Sequence, residues 1–197
     1  MTLSNKITIS RMVLIPIMII MLFIEPFTKI NTVFNLSLSE LLFAIIFTVA
    51  SFTDFLDGYL ARKRNEITDF GKFLDPIADK LLTISAMLYI TVHRTTYDWW
   101  WILIIIVLLR EFVVSAIRMM AAKEDHVIAA SFFGKLKTVV TMVAIILILY
   151  NGFGLYHIMK ENAHYVTDVI YYIAILLTFL SGLDYLLKNK EIFLKSK

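Results

Sequence analysis

The chain has 197 residues, of which 59% are hydrophobic, and a mean hydropathy of +0.78, well above the roughly 45 to 50% apolar content of soluble domains. It has no cysteine, which excludes disulfides, thiolate catalysis and sulfur-ligated zinc and leaves oxygen ligands for any metal. The net charge is +3 with no dense Lys/Arg tract, which argues against nucleic acid as a partner.

In chain order, Thr2 to Arg11 is short and polar with Leu3, Ile7 and Ile9 apolar, a segment expected to lie along a membrane interface. Six apolar stretches near spanning length follow, at roughly residues 10 to 28, 39 to 61, 72 to 92, 98 to 121, 134 to 153 and 165 to 187. Glu25-Pro26-Phe27, which follows the apolar run Met12 to Ile24 of the first stretch, is no signal-peptidase site, so that helix is expected to be retained. No linker divides the chain, and residues 1 to 197 are expected to form a single domain. The expected fold is an all-α integral membrane protein, a six-transmembrane-helix bundle with a short N-terminal interfacial segment.

Basic residues set the orientation. Fourteen of the 19 Lys and Arg fall at the termini, around residues 62 to 72 and around residues 118 to 137, all on one side of six spans. By the positive-inside rule that side is cytoplasmic and the protein is a multi-pass cytoplasmic-membrane protein with both termini inside. Tyr97, Trp99, Trp100 and Trp101 read as an aromatic belt at the opposite interface.

Four aspartates interrupt the apolar pattern. Each charge inside a span costs about 3 kcal/mol on insertion scales, so intramembrane carboxylates point to function. Asp54, Asp57, Gly58 and Ala61 stand at i, i+3, i+4 and i+7 with Arg62 at the edge of the stripe. Gly71, Asp75 and Asp79 stand at i, i+4 and i+8 in the next span, and the short turn between the two makes them antiparallel neighbours. Converging carboxylates repel unless a cation neutralises them, and magnesium or manganese prefers oxygen ligands and binds phosphate oxygens. Gly58, Ala61 and Gly71 either leave room for a phosphate-bearing ligand or pack helices closely. Pro76 is expected to start or kink the third helix.

The residues Asp54-x2-Asp57-Gly58-x2-Ala61-Arg62-x8-Gly71-x3-Asp75-x3-Asp79 resemble the signature of the CDP-alcohol phosphotransferase family of six-helix phospholipid synthases, with every position filled. Asn5, Thr8 and Arg11, then Arg110-Glu111 with Ser115 and Arg118, then Ser131 with Gly134-Lys135-x-Lys137-Thr138 look like the branch that makes phosphatidylglycerophosphate. The resemblance implies an enzyme that joins CDP-diacylglycerol and sn-glycerol 3-phosphate to give phosphatidylglycerophosphate and CMP, working among membrane lipids as a homodimer. It implies two Mg2+ or Mn2+ ions held by Asp54, Asp57, Asp75 and Asp79, with Asp79 also the catalytic base. Asn5, Thr8, Asp57, Gly58, Ala61, Arg62 and Gly71 would bind the CDP-lipid. Arg11, Arg110, Arg118, Ser131, Lys135 and Lys137 would bind glycerol phosphate.

The acceptor carries about two negative charges near neutral pH, so cations must meet it. Arg118 and Lys135 lead that set, whereas Lys137 falls off the stripe formed by Ser131, Gly134, Lys135 and Thr138. Glu111 reads as a structural ion-pair partner. The histidines share no metal-binding spacing, and the sixth span adds little beyond hydrophobicity. Two other readings stand beside this one: the same chemistry on inositol phosphate, serine or phosphatidylglycerol, and a cation or proton transporter, since buried carboxylates also line ion pathways.

Overall fold

A computed structural model of the chain describes residues 3–64, 69–93, 99–123, 132–155 and 163–189, with residues 3, 4, 6, 54–64, 69–73, 122, 123, 133, 163 and 164 described as backbone. The long helices are α1 (Leu3–Met21), α2 (Leu38–Arg64), α3 (Asp69–His93), α4 (Trp100–Lys123), α5 (Phe132–Leu149) and α6 (Ala163–Lys188). They follow the six predicted stretches in order. The chain divides into two compact units, residues 1–94 with 146–163, and residues 95–145 with 164–197.

In the first unit α1 packs against both α2 and α3. Fully buried Ala44, Ala50, Ala78 and Ala86 let the helix backbones approach, while Met18, Phe43, Phe47 and Leu82 fill the space between them. The start of α2 is fixed by its own sequence. The Ser37 hydroxyl accepts from the Glu40 N–H at 3.3 Å and the Glu40 carboxylate accepts from the Ser37 N–H at 2.8 Å, a reciprocal cap of two helix-end donors. The other Glu40 oxygen accepts from the Tyr89 hydroxyl at 3.0 Å. That bond ties the start of α2 to the end of α3, so the two helices run antiparallel.

The second unit has a different register. Trp100 stacks on Tyr171 with ring centroids 4.8 Å apart, Arg110 bonds Ser181, and Arg118 lies over the Tyr185 ring. Successive contacts therefore climb both α4 and α6 from their N-termini, and the two helices are parallel. Val114, Ile117 and Tyr185 form the buried cluster between them.

Trp100–Ala121 and Tyr165–Lys188 are long and apolar enough to cross a membrane, and Ile7–Met21 and Leu38–Thr53 are shorter apolar stretches. Phe52, Val92, Leu109, Phe112, Val139 and Leu187 are among many large apolar side chains left exposed, which suits lipid rather than water. The molecule is a helical membrane protein.

Several local expectations are corrected. The first span, predicted at 10 to 28, begins at Leu3 and ends at Met21, and Glu25–Thr28 is a separate turn of helix with Pro26 in its first turn. Proline is tolerated there because the first helical N–H groups need no intrahelical acceptor. The polar segment before Arg11 is continuous with α1, and Asn5, Thr8 and Arg11 on it are buried. Pro76 does not start α3 but lies inside it, leaving the Lys72 carbonyl without its intrahelical donor. The fifth helix ends at Leu149, before the predicted residue 153, because Asn151 (φ 48°) and Gly152 (φ 64°) turn left-handed. Trp100 is 1% exposed and donates its Nε1–H to the Tyr172 hydroxyl at 3.0 Å, so it is a packed core residue rather than an interfacial anchor; Trp99 and Trp101 remain exposed.

Candidate active site

The hairpin of α2 and α3 determines where its aspartates stand. Asp54 lies fourteen residues beyond Glu40, and Asp75 lies fourteen residues before Tyr89. At 1.5 Å per residue each is about 21 Å along its helix from the Glu40–Tyr89 bond, toward the end of the hairpin where Arg64 and Asp69 stand. Asp57 is one turn further along α2 and Asp79 one turn back along α3. The apolar stretch of α2 stops at Thr53, immediately before Asp54.

A third helix reaches the same place. The Thr8 hydroxyl donates to Asp75 Oδ1 at 2.5 Å, and Arg11 Nη2 lies 3.7 Å from that oxygen. Asn5, Thr8 and Arg11 occupy one stripe of α1 at i, i+3 and i+6. The Arg11 side chain is 2% exposed and that of Asp75 43%. The sequence groups Arg11 with the acceptor ligands, whereas the structure sets it beside a proposed metal ligand. Both contacts fall on Oδ1, so among the described residues Oδ2 of Asp75 is left for a further ligand.

Carboxylate oxygens are the ligand type that a hard divalent cation prefers. Among the described residues no three acidic or histidine side chains are close enough to hold a metal ion. The side chains of Asp54 and Asp57, and of the signature residues Gly58, Ala61, Arg62 and Gly71, lie outside the described residues. Asp79 is half-buried, and its carbonyl accepts from the Thr83 hydroxyl.

The second unit holds the cations. Arg110 Nη1 donates to Glu111 Oε1 at 2.9 Å, and the Lys137 ammonium donates to the same oxygen. Arg110 Nη2 donates to Ser181 Oγ at 2.8 Å. Two cations sharing one carboxylate leave the cluster with a net charge of about +1. Glu111 is thus an ion-pair residue, as its sequence context implies. Arg118 is exposed and its guanidinium lies 5.6 Å from the Tyr185 ring centroid, within cation–π range. Lys135 is exposed at the start of α5; Ser131 lies outside the described residues. Lys137, rather than Lys135, is drawn into the described cluster.

The family model for CDP-alcohol phosphatidyltransferase matches residues 1–180. The chain belongs to the CDP-alcohol phosphatidyltransferase family. A protein of Bacillus subtilis (strain 168) is 40% identical over 191 residues, covering 96% of this chain and 95% of its own. One from Rickettsia bellii is 35% identical over 194 residues, with 97% of each chain covered. One from Haemophilus influenzae is 36% identical over 183 residues, with 91% of this chain and 88% of its own covered. Each of the three bears the name CDP-diacylglycerol–glycerol-3-phosphate 3-phosphatidyltransferase.

In this family member the sixth helix contributes more than sequence reading allowed. Ser181 and Gly182 lie just past the matched span and touch Arg110. The signal was present as adjacent small residues followed by Asp184 inside an otherwise apolar stretch, a pattern that marks close helix contact or polar pairing in a span.

Proposed function

We propose that the chain transfers the phosphatidyl group from CDP-diacylglycerol to sn-glycerol 3-phosphate, releasing phosphatidylglycerophosphate and CMP. What carries this reading is the contact of Thr8 and Arg11 on the N-terminal helix with Asp75, one of the four aspartates of the Asp54-to-Asp79 pattern. Near-full-length similarity to relatives named for this activity supports the choice of substrates.

In this reading the chain spans a bacterial cytoplasmic membrane six times with both termini and the aspartates on the cytoplasmic side, where the excess of basic residues lies. Asp54, Asp57, Asp75 and Asp79 would hold two Mg2+ or Mn2+ ions, which would supply charge neutralisation on the diphosphate. Asn5, Thr8, Gly58, Ala61, Arg62 and Gly71 bound the CDP-lipid site. Asp79 takes the proton from the acceptor hydroxyl as its oxygen bonds to the β-phosphorus. The bond from that phosphorus to the oxygen shared with the α-phosphorus breaks, and the electron pair leaves on CMP. Cations of α4 and α5 orient the acceptor through its phosphate. The active protein is a homodimer, testable by its mass in detergent.

The deciding experiment is CMP release from CDP-diacylglycerol by purified protein with magnesium, offered glycerol 3-phosphate, inositol phosphate and serine in parallel. Release with glycerol 3-phosphate alone is the expected result. Release with another acceptor alone would reassign the substrate, and no release with any would return the aspartates to ion transport.

A further inference from the structure

Arg110 is the residue whose position the sequence explains least well. Its side chain is 9% exposed, in the middle of an apolar helix, where a charge is expensive to hold. Nη1 donates to Glu111 and Nη2 donates to Ser181, so both terminal nitrogens of Arg110 are held by protein partners on two helices. The aliphatic stem passes over α6 at Gly182, where an added Cβ would stand 2.6 Å from Arg110 Cγ. That separation is too short for any real side chain, and the obstructing atom is near the base of the arginine rather than at its flexible tip.

Each contact removes a degree of freedom. The bare backbone at Gly182 admits the stem, the Ser181 hydroxyl fixes the rotation of the guanidinium plane, and the remaining Nη edge faces Glu111. Glu111 in turn bonds the Lys137 ammonium, whose side chain is 14% exposed. A flexible four-carbon lysine has little intrinsic direction, so a fixed carboxylate is the means by which its charge is aimed.

We infer that Arg110 is a positioning residue rather than a substrate ligand, and that Ser181 and Gly182 on α6 act through Arg110 and Glu111 to hold Lys137 as the cation that meets the acceptor phosphate. The inference rests on the proposed function and adds two residues of α6 to the determinants of acceptor affinity. It also exchanges the roles of two residues, since Arg110 leaves the ligand set and Lys137 becomes central to it.

The test uses the full chain in detergent micelles, with initial rates of CMP release measured while glycerol 3-phosphate and CDP-diacylglycerol are varied in turn. Loss of one hydrogen bond to a charged group predicts that Ser181→Ala raises KM for glycerol 3-phosphate about tenfold. KM for CDP-diacylglycerol and kcat should stay within about twofold. Ser181→Thr, which keeps the hydroxyl, should recover most of the loss. Gly182→Ala should shift the same constant in the same direction. In an Arg110→Gln background Ser181→Ala should add nothing, because its effect travels through Arg110.

Equal rises in both KM values, or effects of Ser181→Ala and Arg110→Gln that multiply, would mean that α6 merely stabilises the helix and would overturn the inference. So would an unchanged KM for glycerol 3-phosphate in Lys137→Gln while the wild type remains active, an outcome that leaves the proposed reaction standing. Failure of the wild type to release CMP with glycerol 3-phosphate would instead remove the reaction itself.

Discussion

The Thr8 hydroxyl and the Asp75 carboxylate meet at 2.5 Å although 67 residues separate them in sequence. The N-terminal helix thereby restrains a carboxylate proposed to bind metal, and groups that orient metal ligands typically change metal affinity or activity by 10- to 100-fold when removed. Thr8→Val should therefore raise the Mg2+ concentration needed for half-maximal CMP release by about tenfold. KM for glycerol 3-phosphate should not move, and an unchanged Mg2+ requirement would detach Thr8 from the metal site.

Asp79 tests the proton-transfer step. Asp79→Asn keeps the shape and removes the base, and kcat should fall by about two to four orders of magnitude. Binding of CDP-diacylglycerol, followed by equilibrium titration in detergent, should persist. Turnover at the wild-type rate would exclude Asp79 from catalysis.

The metal reading has its own arm. Chelation with EDTA should abolish CMP release and added Mg2+ or Mn2+ should restore it. Asp54→Asn and Asp75→Asn should each weaken metal-dependent binding of the CDP-lipid, since each removes an anionic oxygen from the proposed ligand set. Retention of full metal affinity by both variants would dismiss them as ligands.

Tyr89 probes the opposite end of the hairpin. Tyr89→Phe leaves the Glu40 oxygen without its hydroxyl donor, a loss of about 1 to 3 kcal/mol when a charged acceptor is involved. The thermal midpoint should drop by several degrees. Activity per folded molecule should stay close to wild type, because Glu40 remains engaged with the Ser37 N–H.

Much of this arrangement is legible in the sequence, for definable reasons. Six apolar stretches, with only four residues between Arg64 and Asp69, are sufficient to give the helix order and the α2–α3 hairpin, and helical spacing alone aligns Asp75 with Asp79. Partners outside an element are harder to read. Asn5, Thr8 and Arg11 look like the polar face of a surface segment, yet they are buried, because the neighbouring helix offers Asp75 as a partner for Thr8 and Arg11. Ser181 and Gly182 look like neutral fillers until Arg110 is placed against them. Trp100 looks like its exposed neighbours, and one residue of helical rotation, about 100°, turns it from the lipid face into the stack with Tyr171.

That stack has a spectroscopic consequence. All three tryptophans of the chain are consecutive, at 99, 100 and 101, and Trp99 and Trp100 both contact Tyr172. Intrinsic fluorescence is therefore a local gauge of the N-terminal end of α4. It should register loosening of the aromatic stack during thermal melting. Arg110 and Arg118 lie about 15 and 27 Å further along the helix than Trp100, so a titration that leaves emission unchanged would say nothing about occupancy there; a tryptophan introduced at Phe133, on the helix that carries Lys135 and Lys137, would supply the missing optical handle.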